Sequence, residues 1–232
     1  MKNVTRRRSN PFGMQPPCPH GCSGDGATAG EDDDSNRSSG SRTAVMGYGD
    51  ANADLHVVGD HPGVHGGAET GIPFTGTPAG DRVREVLETV GLLEEDEDGP
   101  LLTDCFTSYV HCCCVPDGET PSPSAYAEFE PFFDAELRAI GAHVLVPVGQ
   151  RATSHVLREY TARDPDLDVR AHHADLLYGS GFLVVPLADP AEWSDAEFDA
   201  AVDALADLLT SDYTQQADLG RFIPGEEPYF VR

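Results

Sequence analysis

From His143 to Val148 the chain is almost wholly apolar, and a strand of that kind has to be covered on both faces. Three more short apolar runs resemble it: Leu55 to Val58, stopping at Gly59; Cys105 to Val110; and Phe182 to Leu187. Helical patterns separate them. Thr77-Pro78 opens one with a capping hydroxyl and a proline in the first turn, and Val83, Val86, Leu87 and Val90 form its apolar stripe before Gly91. Ser122-Pro123 opens a second, striped by Tyr126, Phe129, Phe133, Leu137 and Ile140. A third runs from Gly149 to about Glu159. The last begins with the capping box Ser194/Glu197 and turns Phe198, Val202, Leu205 and Leu209 inward. Strands alternating with helices predict an α/β fold, a three-layer αβα sandwich around a four-stranded, mostly parallel sheet. The expected organisation is an irregular acidic arm over 1–43, a core domain over 44–212 and a polar tail over 213–232.

Charge narrows the setting. Forty acidic residues face fifteen basic ones for a net −25, and Lys2 is the only lysine. Such a surface predicts a halophilic-type protein kept soluble in concentrated salt by hydrated carboxylates. Molar salt shortens the Debye length to ~3 Å, so the acidic balance counts only weakly against a nucleic-acid partner. No run approaches the ~20 apolar residues of a membrane span, and the N-terminus lacks an apolar signal core, so a cytoplasmic monomer is expected. The six cysteines are then reduced, and metal ligation is their natural use.

In parallel sheets ligands bind beyond the carboxyl ends of the strands. After the first strand comes Gly59-Asp60-His61-Pro62-Gly63, then Gly71-Ile72-Pro73-Phe74-Thr75-Gly76. Glycines flanking a polar pair let backbone approach a ligand, and Phe74 offers a flat face for stacking. The plainer alternative is a long turn with a core phenylalanine.

These two motifs, in this order and followed by a helix, resemble the uracil-DNA glycosylase superfamily, above all its iron–sulfur branch, often called family 4. That branch carries Gly-Glu-Ala-Pro-Gly, a spacer, then Gly-x-Pro-Phe-x-Gly. The resemblance continues through Thr107-Ser108-Tyr109-Val110-His111-Cys112, where the branch has Thr-Asn-x-x-Lys-Cys. It extends through Val146 to Ala152, and through Pro186-Leu187-Ala188-Asp189-Pro190-Ala191, where the branch has His-Pro-Ser/Ala. It implies a DNA-repair N-glycosylase that releases uracil or a related deaminated base from DNA. Asp60 would hold the attacking water, Phe74 would stack on the flipped base, and backbone near Gly59, His61 and Gly63 would line the pocket. Ser108 stands in the place of the base-reading Asn, and Asp189 in that of the His that supports the departing base.

The departures have chemical weight. Serine has one rotor where asparagine has a fixed donor–acceptor pair. An ionised Asp189 repels a developing anion and helps only if protonated. Asp60 is one methylene shorter than Glu, which moves its oxygen by ~1 Å. His61 and His111 are alternative donors. The second reading, from a different class, is a non-catalytic member that binds nucleic acid or a free base.

The resemblance also implies a 4Fe-4S cluster. Cys18, Cys22 and Cys112 fall on three ligand positions, and the fourth falls on Phe129, so Cys114 or its neighbour Cys113 would have to complete the set. A zinc site using His20 or His111 is the alternative, and Cys105 reads as a small buried hydrophobe. Trp193 is either a wedge into DNA or a helix-start residue packed on the sheet. His172-His173 carries no assigned chemistry.

Overall fold

The computed structural model describes residues 15–18, 44–95, 99–116 and 118–211; Cys22, the acidic run of the arm and the tail from 213 lie outside the described residues. The core is a six-stranded sheet. Its centre is four parallel strands, in spatial order β5 (Cys105–Tyr109), β2 (Leu55–Gly59), β6 (Val144–Pro147) and β8 (Phe182–Val184). Two short antiparallel strands flank it: β1 (Tyr48–Gly49) on β5 and β7 (Leu177–Gly179) on β8. The four-stranded parallel centre is as the alternation predicts. The flanking strands were not foreseen, because two or three residues are too short to show a period of two. A separate small hairpin joins β3 (Leu93–Glu94) to β4 (Leu101–Leu102).

Helices cover both faces. A single-turn helix, α1 (Pro62–His65), follows β2, and α2 (Pro78–Thr89) follows the second Gly motif, with the Thr77 side chain accepting from the Gly80 N–H. On one face α2 packs against α5 (Asp195–Thr210), whose capping box of Ser194 and Glu197 is fully formed. On the other lie α3 (Pro123–Ile140) and α4 (Gly149–Tyr160), where Phe133 meets His56 of β2 and His155 of α4. No helix among the described residues is long and apolar enough to cross a membrane.

The chain leaves β2 for β5 on one side, then returns to β6 and β8 on the other. This reversal opens a crevice between the carboxyl ends of β2 and β6, where doubly wound sheets hold ligands. Asp60 directly follows β2, and Arg151 lies in the first turn of α4 after β6.

The core is unusually rich in neutral histidine. Burial pushes His56 down to about 3, and His61, His65 and His155 each down to about 4. An unfolded histidine takes a proton near 6.5, which these cannot do while folded, so stability present above that pH is lost as pH falls towards 4. His56 alone is worth roughly 3 kcal/mol between those limits. Glu136 acts in the opposite sense: burial lifts its carboxyl to about 7 against the Ser108 hydroxyl and the Gly47 N–H, so it gains as pH falls. Four histidines outweigh one glutamate. Urea midpoints at constant salt should therefore drop stepwise from pH 7.5 through 5.5 to 4.5; a flat series would contradict the neutral histidines.

Candidate active site

The loop after β2 is built around its own polar groups. His61 caps α1, its Nδ1 accepting from the Gly63 N–H at 3.1 Å, and its Nε2 is buried with no partner among the described residues. Gly63 is exposed, and a side chain there would run into the His61 ring. Four residues on, His65 is buried, and its Nδ1 accepts from the Asp60 N–H at 3.0 Å. Gly59 and Gly66 show why this stretch needs glycine. A Cβ on Gly59 would strike the Tyr109 and His65 rings, and one on Gly66, where φ is +91°, would stand 2.2 Å from the Thr75 carbonyl oxygen.

Phe74 closes the loop. It is 1% exposed and sits at φ +60°, a conformation costly for any residue but glycine. Tyr109 holds it there: the Phe74 N–H donates to the Tyr109 hydroxyl at 2.7 Å, and that hydroxyl donates on to the Gly66 carbonyl at 3.0 Å. The rings of Phe74, His65 and Tyr109 form a three-way cluster with centroids 5.4 to 6.3 Å apart, His65 stacked on Tyr109 and both tilted against Phe74.

Asp60 is the charged centre. Its carboxylate accepts from the Tyr126 hydroxyl on one oxygen and lies 3.5 Å from Arg151 Nε on the other, with the Arg151 guanidinium over the Tyr126 ring. Burial pushes its carboxyl up, opposed by Tyr126, Arg151 and His111. A cleft lined by Tyr126, Gln150, Arg151, Ser154, His155 and Arg158 runs alongside, placing two arginines in a strongly acidic chain.

Neither Ser108 nor Asp189 hydrogen-bonds to Asp60 or Phe74, although the Asp189 charge is felt at His65. Ser108 is buried on the opposite sheet face from Tyr109, its Oγ 2.8 Å from His56 Nε2 and against Glu136. Asp189 is exposed, and its Oδ1 caps the 3-10 turn Pro190–Glu192 through the Ala191 N–H at 3.0 Å. Asp60, His61, Gly59, Gly63 and Phe74 do share one loop. Tyr126, Tyr109, His65 and Arg151 were not foreseen as site residues; Tyr126 and Tyr109 had read as a helix stripe and a strand. His173, set aside in the sequence, holds the last motif: its Nδ1 accepts from the Ala188 N–H at 2.9 Å, and the Trp193 indole donates to the Ala188 carbonyl. Trp193 is buried and packed, as the plainer of its two readings has it.

The cysteines converge beside this centre. Cys18 of the arm and Cys113 are joined as a disulfide across 95 residues, and one sulfur each of Cys18, Cys112 and Cys113 lies within 4.8 Å of the others. Cys113, rather than the expected Cys114, joins the group; Cys114 and Cys105 are buried. Phe129 is buried against His111 and Phe132. A four-iron cluster takes four thiolates. Contrary to the expectation of six reduced cysteines, two of these three sulfurs are bonded to each other, so the group fits a thiolate-held centre only once the Cys18–Cys113 bond is reduced, with the fourth donor to come from outside the group.

The family model described as the uracil DNA glycosylase superfamily matches residues 46–209. The chain belongs to the uracil-DNA glycosylase superfamily. Its matched region runs from β1 into α5 and so contains the whole Asp60 loop. Among curated relatives it is similar to the type-5 uracil-DNA glycosylase of Mycobacterium leprae, 30% identical over 120 residues, which cover 49% of this chain and 52% of that protein. The enzyme of that name from Mycobacterium tuberculosis is 29% identical over 49% of this chain and 45% of its own. That from Pyrobaculum aerophilum is 26% identical over 71% of this chain and 73% of its own. The chain thus spans about half the length of the mycobacterial relatives it matches, and within the superfamily it is a divergent member.

Proposed function

We propose that this superfamily member is a DNA-repair N-glycosylase that hydrolyses the bond between deoxyribose and uracil, or a related deaminated base. The observation that carries the reading is the half-buried carboxylate of Asp60, clamped by Tyr126 and Arg151 at the β2/β6 crevice beside the Phe74 loop. Each carboxylate oxygen has two lone pairs, so Asp60 can hold a water while keeping both clamps. The water oxygen bonds to C1′ and passes a proton to Asp60. The electron pair of the C1′–N1 bond leaves with the base. Between these events the carboxylate's charge steadies the cationic sugar. Arg151 and Arg158 in the adjoining cleft suit a phosphodiester backbone.

The test uses uracil- and hypoxanthine-containing oligonucleotides, single- and double-stranded, from low to molar salt. Abasic product from at least one is the expected result; none at any salt would overturn the enzyme reading. The outward Asp189 and inward Ser108 favour one rival, a base-binding member without catalysis. It would show binding to the same oligonucleotides and no abasic product.

We infer further that the converging thiols hold a 4Fe-4S cluster, with Cys18, Cys112 and Cys113 joined by Cys22, tying the arm to the core. When bound, such a cluster supplies a structural clamp here rather than a step of hydrolysis. Anaerobic protein should be brown, absorb near ~400 nm and contain iron and sulfide in equal amounts. Colourless, iron-free protein with two fewer titratable thiols than the six in the chain would establish the Cys18–Cys113 disulfide instead.

A further inference from the structure

When the C1′–N1 bond breaks, negative charge gathers on the carbonyl oxygen of the departing base, and an uncharged or cationic N–H donor must meet it. Asp189 is poorly placed for this, because its Oδ1 already caps the turn by accepting from the Ala191 N–H. We propose that His65 is the residue that meets the departing base, its neutral ring donating from Nε2 to the base carbonyl. This rests on the glycosylase reading above.

Three observations carry it. The Asp60 N–H donates to His65 Nδ1 at 3.0 Å, so Nδ1 carries no proton and the neutral ring's proton sits on Nε2. The tautomer is set by backbone and does not depend on a neighbouring side chain. The ring is also held in place, stacked with Tyr109 at 6.3 Å and 19° and tilted against Phe74 at 5.5 Å and 33°. Finally, its free edge faces the crevice. His65 Cε1 is 4.0 Å from where a Cβ on Gly149 would stand, and Gly149, at φ +83°, leaves that space open at the end of β6. Among the described residues no protein group is hydrogen-bonded to Nε2. Burial keeps the ring neutral at pH 7, against the weaker pull of the Asp189 charge. One residue, Asp60, thus lends its backbone to the leaving-base donor and its side chain to the water.

His65→Leu should lower the single-turnover rate on uracil by about 10²–10³-fold, the usual effect of deleting one such donor. On 5-fluorouracil, whose anion is more stable and needs less help, the loss should be about tenfold smaller. His65→Gln, which keeps an N–H donor of similar reach, should fall between. Equal losses on both bases would reduce His65 to a loop prop and overturn the proposal. So would an unaffected His65→Leu, or a leaving-group-dependent loss found at His61→Gln in its place. A second measurement separates the proposal from the reading beneath it. In ¹⁵N-histidine-labelled protein, the His65 Nε2–H signal should shift when free uracil is added. That shift in a protein yielding no abasic product would uphold the base contact while the glycosylase reading fell. Abasic product without the shift would do the reverse.

Discussion

Asp60→Asn is expected to lower uracil release by about 10²–10⁴-fold, the range for removing a positioned general base. The amide fills the same space, and one of its ends can still face Tyr126, so the fold should survive. What it loses is the negative charge opposite the sugar and the ability to take the proton of water. It also places an NH₂ group where Arg151 needs an acceptor, or takes the acceptor from Tyr126. Single-turnover kinetics with saturating protein checks this, alongside a binding titration with the same oligonucleotide. The rate should collapse while affinity changes little. If activity is retained, the attacking water is held elsewhere, and the clamp around Asp60 is structural.

Tyr109→Phe should be among the most damaging single-atom deletions in the protein. The hydroxyl it removes serves two buried backbone groups, accepting from the Phe74 N–H and donating to the Gly66 carbonyl. Phenylalanine fits the space but pairs with neither, and each orphaned group costs about 1–3 kcal/mol. The expected loss is roughly 2–5 kcal/mol, which lowers the melting temperature by roughly 5–15 °C in a chain of this size. The effect is also local. Phe74 at φ +60° is kept in a strained conformation partly by that bond, so the loop should relax and the His65–Phe74–Tyr109 ring cluster loosen. Urea titration gives the first part, and hydrogen exchange at the Gly71 to Gly76 amides the second. A loss below about 0.5 kcal/mol, the level of an ordinary surface change, would show that the hydroxyl's partners are satisfied in another way.

The sequence by itself determined the layers and the loop. Apolar runs ending at glycine, the caps at Thr77, Ser122 and Ser194, and the stripes between them are local signals, because backbone periodicity and capping act within a few residues. The Asp60–Phe74 loop was legible through the order of its two Gly motifs, which resembles the superfamily's, and its glycines answer to close approach at Gly59 and to positive φ at Gly66. What the tertiary structure decided is which side chains meet. Ser108 and Tyr109 are adjacent, yet strand pleating sends one to His56 and the other to Phe74. The strand order places α3 and α4 beside β2, so that Tyr126 and Arg151 close on Asp60 from two distant segments. The tautomer of His65 follows from one backbone N–H that the folded loop turns toward it. Cys113 rather than Cys114 meets Cys18 because adjacent residues project in different directions. Burial patterns are written one residue at a time. Pairings across the crevice depend on register and on the reversal of strand order, and no local period encodes either.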